Sequence, residues 1–219
     1  MALNKLKYNS LNLTPAANKA IGFDSDADAL EATLSGGAMV FIKKLTASDT
    51  STLSFVNGSS DVVLDSTYKE YMFIFNNIHP ATDQAKFQVN FRDGGSDYDA
   101  TKTTAFFNAY HAESDSGTPN VNIETGHDLA QSTSFQDLSR EVGNGNDESV
   151  SGTLQLFNPS STTFVKHFIS RTNCYYYGDF TLETYAAGYC NTTTAIDGVQ
   201  FKMSSGNFDQ GSIALYGIN

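Results

Sequence analysis

Three adjacent tyrosines, Tyr175-Tyr176-Tyr177, are the residues of this chain best suited to touching another molecule. In a strand or loop the three cannot all face a core, so at least one is exposed or at an interface. Tyrosine serves protein contacts and stacking on sugar rings alike; a half-buried aromatic strand is the plainer alternative. Carboxylates come next. Asp93, Asp97 and Asp99 sit in a Gly-rich turn at spacings that let side chains converge on a hard cation such as calcium, weakly held. An ordinary hairpin loop explains the same residues, and Asn144, Asn146, Asp147 and Glu148 pose the same choice.

Other chemistry finds less support. Asp24-Ser25-Asp26-Ala27-Asp28 opens like a calcium-binding EF-hand loop, but Ala29 stands where that loop needs Gly and Ser35 where it needs Glu. A solvated turn is the better reading. None of His79, His111, His127 and His167 falls in a zinc-ligand spacing. Alternation puts His167 on the strand face opposite Phe164, Lys166 and Phe168, which suits a packed or hydrogen-bonded role. Gly126-His127-Asp128 with Ser132 has the residue types of a hydrolytic triad. However, no G-x-S-x-G elbow exists, and triad members rarely lie so close in sequence. Cys174 with His167 is a weaker pair. A carboxylate pair for glycoside hydrolysis depends on a separation that only the fold sets. No catalytic, cofactor or metal residue is assigned, and a non-enzymatic protein is expected.

The elements that must position these residues are short β-runs. Met39 to Leu45, Thr52 to Val56 and Asp61 to Leu64 come first. Tyr68 to Ile78 is the most apolar run and stops at His79-Pro80, because proline cannot donate to a ladder. Lys86 to Arg92 alternates, with Phe87, Val89 and Phe91 on one face. Thr101 to His111 follows. Ser132 to Val142 reads as a short helix around Phe135, Leu138 and Val142, spaced three and four apart. Ser151 to Phe157, Thr163 to Ser170 and Phe180 to Tyr189 return to strand. Gly198 to Ser204 and Ser212 to Ile218 look like a closing hairpin around Ser205-Gly206-Asn207. About ten short strands without a long helix or an internal repeat indicate an all-β sandwich or barrel.

Residues 1–37 differ from the rest. They carry few large apolar residues and end at Gly36-Gly37, so they read as an N-terminal arm or leading strand ahead of one domain, 38–219. Lys5, Lys7, Tyr8 and Lys19 make the arm a candidate docking element for an acidic neighbour; ordinary scatter of charge over a short stretch explains the same residues. The net charge of −11 argues against nucleic acid as a partner. No apolar run reaches the ~20 residues that span a bilayer, and the N-terminus lacks a signal peptide's apolar core. Cys174 and Cys190 make no disulfide framework, although neighbouring strands would allow a single bond.

Three segments carry a resemblance. Asn12-Leu13-Thr14-Pro15-Ala16-Ala17-Asn18 looks like the start of small virion-associated proteins of marine bacteriophages. Phe157-Asn158-Pro159-Ser160 with Phe164-Val165-Lys166-His167 looks like their middle. Val199 to Phe208, followed by Gly211 to Ile218, resembles the last two strands of phage jelly-roll modules. The resemblance implies a jelly-roll-like antiparallel β-sandwich with an extended N-terminal arm, assembled in the bacterial cytoplasm and displayed on a virion surface. It implies capsid decoration, or a tail or fibre part, and no catalytic residues. The expected partners are further copies of the chain (a homo-oligomer, with a trimer as the working state), other virion proteins through the arm, and host surface glycan if the protein is a fibre adhesin. A glycan-cleaving enzyme is the outside alternative.

Overall fold

The computed structural model describes residues 20–23, 30–33 and 38–219. Among them the regular elements are strands, apart from one 3-10 turn at Thr125–His127. No helix among the described residues is long and apolar enough to cross a membrane. The chain divides after Ala38 into two units. In the first, β1 (Ala20–Phe23) and β2 (Leu30–Thr33) pair antiparallel, with Ala20 opposite Thr33 and Phe23 opposite Leu30. The arm thus holds a strand pair where at most one leading strand was expected. Lys5, Lys7, Tyr8, Lys19 and the Asp24–Asp28 stretch lie outside the described residues.

The second unit opens with β3 (Met39–Thr50), β4 (Thr52–Val56), β5 (Glu70–Pro80) and β6 (Ala85–Arg92). It continues with β7 (Lys102–Ala112), β8 (Asn120–Ile123), β9 (Gln136–Val142) and β10 (Val150–Phe157). It ends with β11 (Lys166–Tyr176), β12 (Phe180–Cys190), β13 (Gly198–Met203) and β14 (Phe208–Ile218). Eight of these form two antiparallel layers, β3-β14-β5-β10 and β4-β13-β6-β9. The chain changes layer at most of its connections, which is the double Greek-key path of a jelly roll. The expected jelly-roll sandwich is the fold observed.

The other four strands are two insertions, β7-β8 between β6 and β9, and β11-β12 between β10 and β13. They pair with each other and extend the first layer in the order β10-β11-β12-β7-β8. The ladder pairing of this extension with the second layer is Tyr176 opposite Val142. The extension's inner face is covered by the segment running from the 3-10 turn into β9. There the Thr172 hydroxyl donates to the Leu138 carbonyl at 2.5 Å, and Phe106 stacks on His127 at 4.8 Å.

Alternation decides what the sandwich buries. Tyr71, Phe73 and Phe75 of β5 and Phe87, Val89 and Phe91 of β6 all point inward and are buried. Phe201 of β13 sits among them, with ring centroids 5.3 Å from Phe75, 5.4 Å from Phe73 and 5.7 Å from Phe87. Burial of each such ring is worth about 1.5–3 kcal/mol. Edge-to-face contacts add about 0.5–1.5 kcal/mol per pair. Asn90, on the opposite face of β6, is buried too, because its side-chain amide donates to the Thr133 carbonyl of the covering segment. That face is therefore not the solvated one its alternation suggested.

Three further expectations are corrected. Residues 136–142 form strand β9, not a helix. Leu138 and Val142 are four apart, which puts them on one face of a strand as well as of a helix, and Phe135, the residue that made the pattern look helical, lies outside β9. Next, β13 and β14 are not a hairpin. β13 lies between β4 and β6, whereas β14 crosses to the other layer between β3 and β5. Gly206 turns that corner at φ +68°, where an added Cβ would collide with the Thr82 side chain. Finally, Asp61 to Leu64 is a turn and not a strand, with Asp61 itself at φ +66°.

Candidate functional site

The three tyrosines close β11 and part company. Tyr175 is half-buried and donates its hydroxyl to Asp179 at 3.1 Å. Tyr177 is exposed. Tyr176 points inward, as its even position on β11 requires, beside Phe168, Ser170, Thr172 and Cys174. It lines a cavity of about 250 Å³ together with Tyr110, Asn122, Arg140, Phe180 and Leu182. Five strands contribute: β7, β8, β9, β11 and β12.

The cavity has aromatic walls and one cation. Phe180 meets Tyr110 edge-on at 5.8 Å and Tyr176 edge-on at 6.0 Å. The Arg140 guanidinium lies 5.4 Å from the Tyr176 ring centroid, within cation-π range. Arg140 also reaches Glu124 at 3.1 Å and Glu141 at 3.3 Å, so its charge is already met by two carboxylates. Glu124 accepts a second hydrogen bond, from the Asn108 amide at 3.2 Å. Asn108 and Thr184 are cross-strand partners in the next row of the same inner face. Asn108 Oδ1 and Thr184 Oγ1 are buried without a partner there. Burial pushes the Tyr176 phenol up to about 12, so it is a neutral hydrogen-bonding group at ordinary pH. A second cavity of about 250 Å³ shares Phe180 and is lined by His111, Glu113, Asn173 and Tyr175.

At the opposite end of the extension stands a row of unlike residues. Lys166, Cys190 and Lys102 are side by side on β11, β12 and β7, all buried. Neither ammonium touches a carboxylate. Lys102 donates to the carbonyls of Ala100 (3.0 Å) and Ser134 (2.7 Å). Lys166 donates to those of Phe164 (3.2 Å) and Thr192 (2.9 Å). Burial pushes Lys102 down to about 8 and moves Lys166 in the same direction. Asp93 opposes the shift at both lysines, and Asp99 does so at Lys102. Two of the three carboxylates suggested as a calcium loop, Asp93 and Asp99, thus act as distant counter-charges to buried lysines, while Asp97 accepts from the Ser96 hydroxyl at 3.2 Å. Among the described residues, no three His, Cys, Asp or Glu side chains come together as a metal site requires. The Glu148 side chain turns back onto the Gly145 amide, which gives that loop a structure of its own.

The two cysteines are free and sit at opposite ends of the β11-β12 ladder, Cys174 opposite Leu182 and Cys190 opposite Lys166. A disulfide between them is ruled out by distance. Burial raises each thiol to about 12, so neither is a reactive thiolate despite the lysines beside Cys190.

The triad residues separate as well. Asp128 accepts the Phe106 amide at 2.6 Å, and Ser132 bridges to Lys102 through backbone. His127 pairs instead with Asp137, Nδ1 to Oδ2 at 2.7 Å. Asp137 also accepts from Gln88 at 2.6 Å and from Lys86 at 3.2 Å. Burial pushes the Asp137 carboxyl up, but the His127 and Gln88 hydrogen bonds and the Lys86 charge outweigh it and hold the group below its ordinary value. This network fastens the 3-10 turn to β6 and β9. His167 is exposed beside Tyr189, on the face its alternation predicts.

Sequence reasoning reached Tyr176 but not Tyr110, Asn122, Arg140 or Phe180. Their even-numbered, inward positions on β7 and β12 were a readable signal for Tyr110 and Phe180. No local signal marks Arg140. No protein-family model matches the chain, and comparison with curated proteins and with solved structures finds no match.

Proposed function

We propose that this chain is a non-enzymatic structural protein of a bacteriophage particle, displayed on its surface as capsid decoration and working as a homo-oligomer. The observation that carries the reading is the outer face of the inserted strands. Ile123, Phe107, Tyr185 and Arg171 lie opposite one another across β8, β7, β12 and β11. Phe107 stacks flat on Tyr185 at 4.7 Å, and Arg171 lies over the same Tyr185 ring at 5.6 Å. Ile123 is 78% exposed, Val121 65% and Ile169 51%. A contiguous apolar face of this kind marks an interaction surface, and a second copy is its assigned occupant. β8 is the edge of this sheet and carries Val121 and Ile123, so an identical chain can continue the layer and cover the face together. The jelly-roll path, common in capsid and lectin domains, and the resemblance of the closing strands to phage modules point the same way.

Quantitative mass spectrometry of purified particles tests the placement. Hundreds of copies per particle mean decoration, and roughly a dozen mean a tail or fibre part. Absence from the particle overturns the reading. Light scattering on the isolated protein tests the oligomer, with Phe107→Ser and Ile169→Ser expected to shift the mass toward the monomer.

A second reading, a tail-fibre adhesin for host glycan, is favoured by the aromatic cavity at Tyr110, Tyr176 and Phe180. The outside alternative, a glycan-cleaving enzyme, requires two facing carboxylates free to trade protons. Glu124 and Glu141, the carboxylates beside this cavity, are both bound to Arg140.

A further inference from the structure

From the cavity between the inserted strands and β9 we infer a binding site for one neutral sugar ring, a hexose or its N-acetyl form, entering beside Asn122. The inference builds on the adhesin reading and narrows it to a subsite and a ligand class.

Size sets the first limit. A volume of about 250 Å³ falls just short of the roughly 300–1,000 Å³ of sites for drug-sized ligands, so one ring fits inside and an oligosaccharide does not. The walls set the second. Phe180 is held edge-on to both Tyr110 and Tyr176, which leaves ring surface for an apolar ring face to lie against. A phenol hydroxyl, the Asn122 amide and the carboxylates on Arg140 supply both donors and acceptors, as a polyol demands.

Charge sets the third limit. The one cation on the wall, Arg140, is shared by Glu124 and Glu141, so the local balance is −1, and the chain carries −11. An anionic sugar would meet repulsion with no free guanidinium to pair with. The fourth observation lies deeper. Asn108 Oδ1 and Thr184 Oγ1, both buried and without a partner, sit in the row next to Tyr110 and Leu182. Unsatisfied buried polar atoms are costly, and they are kept where a bound group or water meets them. Neither atom lines the cavity itself, so a water between this row and a bound ring hydroxyl would give Asn108 a donor and Thr184 either role.

Saturation-transfer NMR on the full chain tests this, with glucose, galactose, mannose, N-acetylglucosamine and glucuronate as probes at 10 mM. A single ring on so small a site is expected to bind with a dissociation constant on the order of 1–10 mM. The expected result is transfer from aromatic protons to at least one neutral sugar and none to glucuronate. Tyr176→Ala should weaken that binding about tenfold. Asn122→Trp, at the mouth and away from the core, should abolish it while leaving the thermal midpoint unchanged, so loss of binding is not loss of fold. No transfer to any neutral sugar overturns the inference, as does transfer unaltered in both variants, or to glucuronate alone. Binding of the isolated protein to host cells is measured in parallel. Cells bound without any neutral-sugar signal would sink this subsite but keep an adhesin, whereas sugar bound without cells would keep the site and discard the adhesin.

Discussion

The eight-stranded sandwich and the four inserted strands share one continuous layer, yet they are built on opposite chemistry. Between the sandwich layers the buried residues are overwhelmingly phenylalanine and aliphatic, with Phe201 at the centre. On the inner face of the insertions the buried residues include Lys102, Thr104, Asn108, Lys166, Ser170, Thr172 and Thr184. Close-packed apolar rings give stability but leave no room or polarity for a ligand. A buried polar face stabilises less, and each of its groups must find a partner. The difference teaches where to look for function. The sandwich holds the molecule together, and the insertions supply both the cavity and the exposed outer face.

The sharpest way to break this contrast is to hollow out each region in turn. Phe201→Ala should cost about 3–5 kcal/mol in urea unfolding, the price of a cavity among rings that cannot collapse. A loss below 1 kcal/mol would mean that the sandwich is not the stable half. At the seam between the regions, Asp137→Asn removes the charge that holds His127 and Lys86, and a loss of about 2–3 kcal/mol is expected. Because the folded Asp137 carboxyl lies below its ordinary value, its contribution is complete above about pH 4 and disappears as pH falls through the folded value.

The insertions should govern the behaviour between pH 8 and 10, below the range in which the buried Tyr71 of the sandwich begins to contribute. Lys102 titrates near 8 when folded against 10.5 when unfolded, so the unfolded chain holds more protons between those values. Stability therefore rises there, by up to about 1.4 kcal/mol per pH unit. Cys174 and Cys190, raised from 9.0 to about 12, act the other way. Their neutral forms stabilise the fold below pH 9, and that contribution is lost as pH climbs toward 12. A stability maximum near pH 9 is expected, and the rise from pH 8 should shrink in Lys102→Met to the part that Lys166 supplies; chemical denaturation across pH 7–11 checks both. The smallest effect is on the thiols themselves. A thiol reagent should label neither cysteine in the native protein and both in urea, and labelling without denaturant would contradict their burial.

Strands were legible in the sequence wherever one face alternated, as in β6, β7 and β12. They were misread where two apolar residues four apart satisfy the strand and the helix period alike, as at Leu138 and Val142. The layer crossing between β13 and β14 was hidden because a tight polar turn reads the same in a hairpin and at a sandwich corner. The site was only half legible. Tyr176 stood out by type, but its neighbours come from five strands, and two separate insertions that pair with each other leave no local mark in either. The buried lysines were hidden by their type. Lys166 was placed on the face of Phe168, yet nothing local tells a lysine bonded to carbonyls from one reaching solvent.

The last two strands fill the middle of both layers: β13 between β4 and β6, β14 between β3 and β5. During synthesis, at about 5–20 residues per second, every earlier strand has emerged before either slot can be filled. For about a second or more the ribosome therefore displays four unsatisfied strand edges flanking an open phenylalanine core. Such non-local closure is slow, on the millisecond-to-second scale, even once β14 has emerged. The interval between translation of Asp197 and docking of Phe208–Ile218 is when this protein most needs a chaperone.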